Sequence, residues 1–341
     1  MKYAAFLISA CLPLSLSAEE KFADKSTPTM KGYDVIFSDE FNAATFDSNK
    51  WKVGINAGNA IQGSQDSPYL RKGISQKNGM LELTASKEKT PLKARIYGGK
   101  HKLFNYSSGA INTDSIFELK GEFYIEIRCK FPENDGGYCA FWTMPSKKGV
   151  AEGMLAEDMH ETDFFEFKTS LKKASHYRYF SSLWWHSVTE KELEEFPNKD
   201  FVKRGKNSSF ITQQSLKPHY QPRNGKVTKG VDFSKYVTFG FKATKDQLSW
   251  HLVQDGTAYN AKPYMVFKGG IVESRTPKDK TQKPFKVHRP VPKFNNYLIL
   301  NYRVSNQGWI GGPINDSQLP STMKVDYVRV YKPHTQNSKK K

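Results

Sequence analysis

The chain is short of several things, and each shortage narrows what it can be. It has 3 cysteines in 341 residues, too few for a disulfide framework, so a hydrophobic core has to hold the fold together. Sustained helical periodicity is nearly absent, which excludes a helical bundle or a coiled coil. Beyond the N-terminal segment no stretch approaches the ~20 apolar residues of a membrane span, and no repeat recurs at solenoid spacing. Acid is scarce as well: 52 Lys and Arg face 34 Asp and Glu, a formal net charge of +18. An excess of that size points to an anionic partner. Generic solubility is the plainer account, and it would not require the charges to cluster.

Core material is plentiful, with 38% hydrophobic and 13% aromatic residues. The opening MKYAAFLISACLPLSLSA has a Lys near its start, a short apolar stretch and small residues at Ser17 and Ala18, the plan of a secretory signal peptide over residues 1–18. The mature chain is therefore expected to be secreted or periplasmic. "ISAC", ending at Cys11, also resembles a lipoprotein-processing box, which makes lipid anchoring the minor alternative. Cys129 and Cys139 flank a turn-like segment. A disulfide across a hairpin and two buried free thiols both fit that placement.

Period-two stretches separated by turn signals dominate: "GMLELTAS", "GEFYIEIRCKF", "YVTFGFKAT", "QLSWHLV", "NYLILNYRV" and "KVDYVRVY". They predict an all-β sandwich of two antiparallel sheets. A Glu-rich stretch at 187–196 reads as one short surface helix. Two basic segments interrupt the strand rhythm. Residues 199–229 carry eight Lys and Arg against Asp200, and residues 268–293 carry eight against Glu273 and Asp279. Long irregular insertions in a compact domain are functional loops or disorder.

The stretch "HETDFFEF" at 160–167 sets Glu161, Asp163 and Glu166 into an apolar run. Side chains alternate along a strand, so Glu161 and Asp163 share a face while Glu166, five residues on, falls to the other. A β-bulge would insert one residue and bring all three to one side. The two glutamates then lie roughly 13 Å apart along the backbone, and inward-leaning side chains shorten that toward the ~5–5.5 Å carboxyl separation of a retaining glycosidase. Such chemistry needs one ionised carboxylate to attack and one protonated carboxyl to deliver a proton. A polar strand face bearing ordinary acids is the alternative.

The sequence resembles glycoside hydrolase family 16. "VIFSDEFNAATFDSNKW" is similar to that family's opening strand, "NGMLELTA" and "YSSGAINT" to its next landmarks, and "GEFYIEIRCKF" with "GGYCAFWTMP" to the segment before its catalytic strand. "HETDFFEF" stands where the family carries E-x-D-x-x-E, and "NYLILNYRVSNQGWIGG" and "PSTMKVDYVRVYK" follow in order. The resemblance implies a β-jelly-roll with a concave substrate cleft and hydrolysis with retention. It makes Glu161 the nucleophile, Asp163 the assisting acid and Glu166 the general acid/base. The spacing matches the bulged branch of laminarinases, agarases, porphyranases and κ-carrageenases rather than the lichenase branch. Thr162 departs from the family's usual Ile, Val or Leu, and its hydroxyl needs a partner. The catalytic domain is expected over 33–333, after a lead-in at 19–32 and before a basic tail at 334–341.

Sugar rings have apolar faces, so a polysaccharide cleft needs aromatic platforms among polar groups. Trp142 matches a cleft tryptophan of the family. In "SLWWHS", Trp184 and His186 share a parity and are expected in the cleft, with Trp185 in the core; Tyr69, Arg71 and Trp309 are candidates for its edges. The basic insertions suit a sulfated galactan of the carrageenan, furcellaran or porphyran kind, because Arg and Lys bind sulfate through charge-assisted bonds. The segment before the catalytic strand also lacks the Trp-Pro pairing of laminarinase-like sequences. A laminarinase or agarase is the nearest rival. A carbohydrate-binding protein that lost the chemistry is another, which the three acids argue against. Nucleic-acid binding has only the charge in its favour. No cofactor is needed for the reaction. Asp326 matches a family position that often helps to bind a structural calcium, with Glu40 near it if the first and last strands pair. The protein is expected to be a monomer.

Overall fold

The computed structural model describes residues 22–55, 65–96, 99–169, 178–185, 211–213, 219–220, 231–274, 286–308, 310 and 312–334. The expected signal peptide, the helix expected at 187–196, most of the first basic insertion, the middle of the second and the tail beyond 334 lie outside these residues.

The alternating segments form two antiparallel sheets. In the outer sheet the spatial order is Met265–Phe267, Leu248–Val253, Val237–Ala243, Phe123–Lys130, Ser321–Pro333, Met80–Arg95 and Ile74–Lys77, with Tyr33–Asp39 also paired to Ser321–Pro333. The second sheet runs Lys286–Arg289, Gly270–Ser274, Ile211–Gln213, Arg178–Trp185, His160–Lys168, Gly137–Pro145, Asn295–Val304, Gly109–Asn112 and Lys52–Val53. It carries the three acids and is called the cleft sheet below. The strand His160–Lys168 lies between Gly137–Pro145 and Arg178–Trp185, with neighbours on both sides.

Aromatic rings from both sheets fill the space between them. Phe165 meets Phe239 at 4.5 Å, Phe164 meets Phe241 at 4.8 Å, and Phe131 stacks on Phe167 at 3.7 Å. Each such ring contributes about 1.5–3 kcal/mol by leaving water, and the offset and edge geometries add to that. The lead-in is part of this packing: Phe22 sits 6.1 Å from Phe117, and the Thr27 hydroxyl donates to Ser38 Oγ at 2.6 Å.

Of the two placements open for the cysteines, the buried free thiols hold. The segment between Cys129 and Cys139 is not a hairpin turn, because Cys129 ends on the outer sheet and Cys139 on the cleft sheet. Both thiols are buried and free, and burial pushes both thiols up from their ordinary pKa. The one α-helix among the described residues is Lys147–Ala151, capped by Ser146, whose hydroxyl accepts from Gly149 N at 3.0 Å. Five residues are too few to show helical periodicity in a sequence.

Candidate active site

The bulge exists and lies where the parity argument requires it. Against Gly137–Pro145, Asp163 pairs with Trp142 and Phe165 with Phe141, so Phe164 is the extra residue; the register against Arg178–Trp185 shifts over the same interval. Phe164 and Phe165 both point into the inter-sheet core, and Glu166 returns to the side of Glu161 and Asp163. A bulge leaves backbone groups without ladder partners. Here the Trp250 indole donates to the Asp163 carbonyl at 3.0 Å and the Ser181 hydroxyl to the Phe164 carbonyl at 2.7 Å. Thr162, 0% exposed, has its hydroxyl 2.9 Å from His160 Nδ1, which supplies the partner that this residue needs in a strand interior.

Glu161, Asp163 and Glu166 line one cavity of about 200 Å³ with Ile55, Gln65, Tyr69, Tyr138, Ala140, Trp142, Asn301 and Arg303. Asp163 is buried, accepting from the Ser182 hydroxyl and, at 3.1 Å, from the Trp184 indole. Burial holds its carboxyl well above the ordinary range; the charges of Glu166 and Glu161 add to that, and the bonds from Ser182 and Trp184 oppose it. Glu166 is partly buried and accepts from the Tyr138 hydroxyl. Its pKa is raised, first by desolvation and then by Glu161, against the opposing pull of Tyr138, Arg303 and Lys168. Two carboxyls biased toward the protonated form beside a third are what acid/base work between neighbouring acids demands.

Trp142 lines the cavity and is fixed by its indole N–H donating to Asn301 Oδ1 at 2.8 Å. Trp184 pairs across from Glu161 and is partly exposed, while Trp185 is 0% exposed and donates to the Glu157 carbonyl at 2.7 Å. Tyr69 lines the cavity at 1% exposure. Arg71 is not among the cavity's lining residues: its guanidinium donates to the Ile74 carbonyl at 2.6 Å and lies over the Phe46 ring at 5.1 Å. His186 and Trp309 lie outside the described residues.

Asp326 and Glu40 are each held by a different arginine. Arg128 donates to Asp326 at 2.6 Å, and Arg329 grips Glu40 with two bonds of 2.8 Å. The first and last strands do pair, but each carboxylate has an arginine as its counter-charge. Among the described residues no group of three or more His, Cys, Asp or Glu could hold a metal ion.

Tyr138, Asn301 and Arg303 were not anticipated as cleft residues. Their signal is parity: 138 and 140 share the parity of Trp142, and 303 shares that of 301, along strands already recognised.

No family model matches the chain. Among curated relatives it is 26% identical to a glucan endo-1,3-β-glucosidase A1 of Niallia circulans, over 89% of this chain and 39% of that protein. It is also 26% identical to a keratan-sulfate endo-1,4-β-galactosidase of Sphingobacterium multivorum, over 92% of this chain and 59% of that one. The chain thus spans about two to three fifths of the length of these relatives. Among solved structures, the catalytic domain of an endo-1,3-β-glucanase (laminarinase) from Thermotoga petrophila superposes with a TM-score of 0.57 at 22% identity, covering 89% of this chain and 98% of that one. A non-specific endo-β-1,3(4)-glucanase from family 16 gives 0.55 at 20% identity, with 90% and 94% covered. The chain has the fold of glycoside hydrolase family 16, with the motifs of its resemblance to that family standing in order along the two sheets.

Proposed function

We propose that the chain is an exported, endo-acting glycoside hydrolase that cleaves β-linkages with retention. The observation that carries this reading is the bulge at Phe164, which sets Glu161, Asp163 and Glu166 on one wall of a single cavity. In the first half-reaction Glu161 attacks the anomeric carbon as Glu166 gives its proton to the leaving glycosidic oxygen. In the second, Glu166 takes a proton from water, whose oxygen attacks the same carbon and releases Glu161. Asp163, biased toward the protonated form, can donate a hydrogen bond to a neighbouring carboxylate as its charge changes.

For the substrate we favour a sulfated galactan. The net charge of +18, a guanidinium at the cavity wall in Arg303 and the keratan-sulfate endo-galactosidase among the relatives support that choice. The basic insertions support it by composition alone. A β-1,3-glucan is the second reading, because an endo-1,3-β-glucosidase is among the relatives.

A substrate panel tests both: laminarin, mixed-linkage β-glucan, agarose, porphyran, furcellaran, κ-carrageenan and keratan sulfate, scored by reducing ends and product size. Release of oligosaccharides from a sulfated galactan is the expected result. Action on laminarin alone would discard the sulfated substrate. On whichever chain is cut, Glu161→Gln should lower turnover by about 10⁴-fold or more while binding survives; near-normal turnover would overturn the assignment.

A further inference from the structure

Tyr138 and Arg303 stand directly opposite each other on adjacent strands of the cleft sheet, and both line the cavity. Tyr138 is 5% exposed and Arg303 8%. The guanidinium carbon of Arg303 lies 4.8 Å from the centre of the Tyr138 ring, a cation–π contact that is strong where water is excluded. Across the other edge, Glu166 pairs with Ala140, two residues from Tyr138. The tyrosine therefore reaches Glu166 along the diagonal of the pair, and its hydroxyl donates to Glu166 Oε1. Ala140 between Tyr138 and Trp142 has too small a side chain to block that path.

We propose that Tyr138, braced by Arg303, is the positioning residue of Glu166, holding Oε1 so that the proton for the leaving group sits on Oε2 and the carboxylate left behind is stabilised until it takes a proton from water. This rests on the reading of Glu166 as acid/base. The geometry assigns each oxygen a task. An O–H donating to Oε1 makes that oxygen an acceptor, so the carboxyl hydrogen is carried by Oε2. When the hydrogen passes to the glycosidic oxygen and the C–O bond breaks, the new charge on Glu166 meets a donor already in place, which needs no reorganisation. When water later loses a proton to Glu166, the same bond keeps the acceptor oriented.

The groups that face Glu166 act in opposite senses. Burial and Glu161 favour the protonated acid; Tyr138 from the adjacent strand, Arg303 from the strand beyond it and Lys168 on its own strand favour the carboxylate. Asp163, on the same strand, is a further acid, and its carboxyl feels the charge of Glu166. Once Glu161 is esterified in the glycosyl-enzyme its charge is gone, and the balance moves toward the carboxylate that the second half-reaction uses.

The test is Tyr138→Phe in the full chain, which keeps the ring under Arg303 and removes only the donor. On the polysaccharide cut by wild type, the basic limb of kcat/KM should move up by about one pH unit. On a dinitrophenyl glycoside of the product oligosaccharide, the first half-reaction needs no acid. Steady-state kcat should then fall by about tenfold, with a burst of dinitrophenol as the glycosyl-enzyme accumulates. Arg303→Met should show the same signs more weakly, and Arg303→Lys should restore part of the limb. A wild-type pH profile with no burst in folded Tyr138→Phe would reduce Tyr138 to wall packing. Loss of the acid/base reading itself would look different: Glu166→Ala would then keep its turnover of the polysaccharide.

Discussion

At the scale of single residues, the chain holds several carboxyls in low-dielectric surroundings, and not all of them are near the cleft. Asp39, 5% exposed, accepts from Phe41 N and the Trp51 indole, both at 2.8 Å, yet burial raises its pKa to about 6. An unfolded Asp titrates near 3.9, so between about pH 4 and 6 the folded protein binds the extra proton. Stability from this group therefore falls as pH rises through that window and stays lower above it, by about 3 kcal/mol. Asp39→Asn cannot titrate. It should be less stable at low pH, where its amide meets a donor, but should lack this part of the decline between pH 4 and 6.5. Urea unfolding across that range measures the two slopes; identical slopes would show that Asp39 does not titrate in the window. Glu161, Asp163 and Glu166 were legible in the sequence because acids in an apolar strand are costly and need a reason. Tyr138 and Arg303 were not, because a tyrosine and an arginine in a strand are ordinary until a neighbouring strand sets them against a carboxylate.

At the scale of elements, the bulge is what converts sequence spacing into a site. Deleting Phe164 leaves Glu161, Asp163 and Glu166 at even spacing, so an unbulged strand would still present all three acids to the cleft. The deletion forfeits one buried ring, a cost of about 3–5 kcal/mol. Inserting an alanine between Asp163 and Phe164 makes the spacing even as well, but a flat strand then turns one phenylalanine into the cleft and carries Glu166 two residues along its neighbours, while a retained bulge sends it toward the phenylalanines of the core. Measurable turnover in the folded deletion protein and none in the insertion protein is expected, checked by near-UV circular dichroism with reducing-end release. Equal loss in both, with folding intact, would mean that the acids need the bulge for more than parity. Parity is also why this element could be read in advance while others could not. A misplaced acid reports a bulge locally, whereas the crossing from Cys129 to Cys139 between sheets and the arginine partners of Asp326 and Glu40 depend on strand order. Strand order is set by packing among residues far apart in sequence, and no local pattern carries it.

At the scale of the whole molecule, what distinguishes the two substrate readings is charge. A neutral glucan gains little from a net charge of +18, while a sulfated chain is drawn to it by forces that salt screens over about 8–10 Å at 0.1–0.15 M ionic strength. KM for a sulfated galactan should rise severalfold between 0.05 and 0.5 M NaCl, with kcat changing less, since screening weakens capture and not the bond-breaking at Glu161 and Glu166. KM for laminarin should stay flat over the same range. The chain conformation of a sulfated polysaccharide also responds to salt, so the control is a protein with several lysines of residues 199–229 neutralised. Its KM should start higher and respond less steeply to the same salt series on the same substrate. If wild type and the neutralised protein respond alike, the salt effect belongs to the polysaccharide, and the excess charge has no part in choosing it.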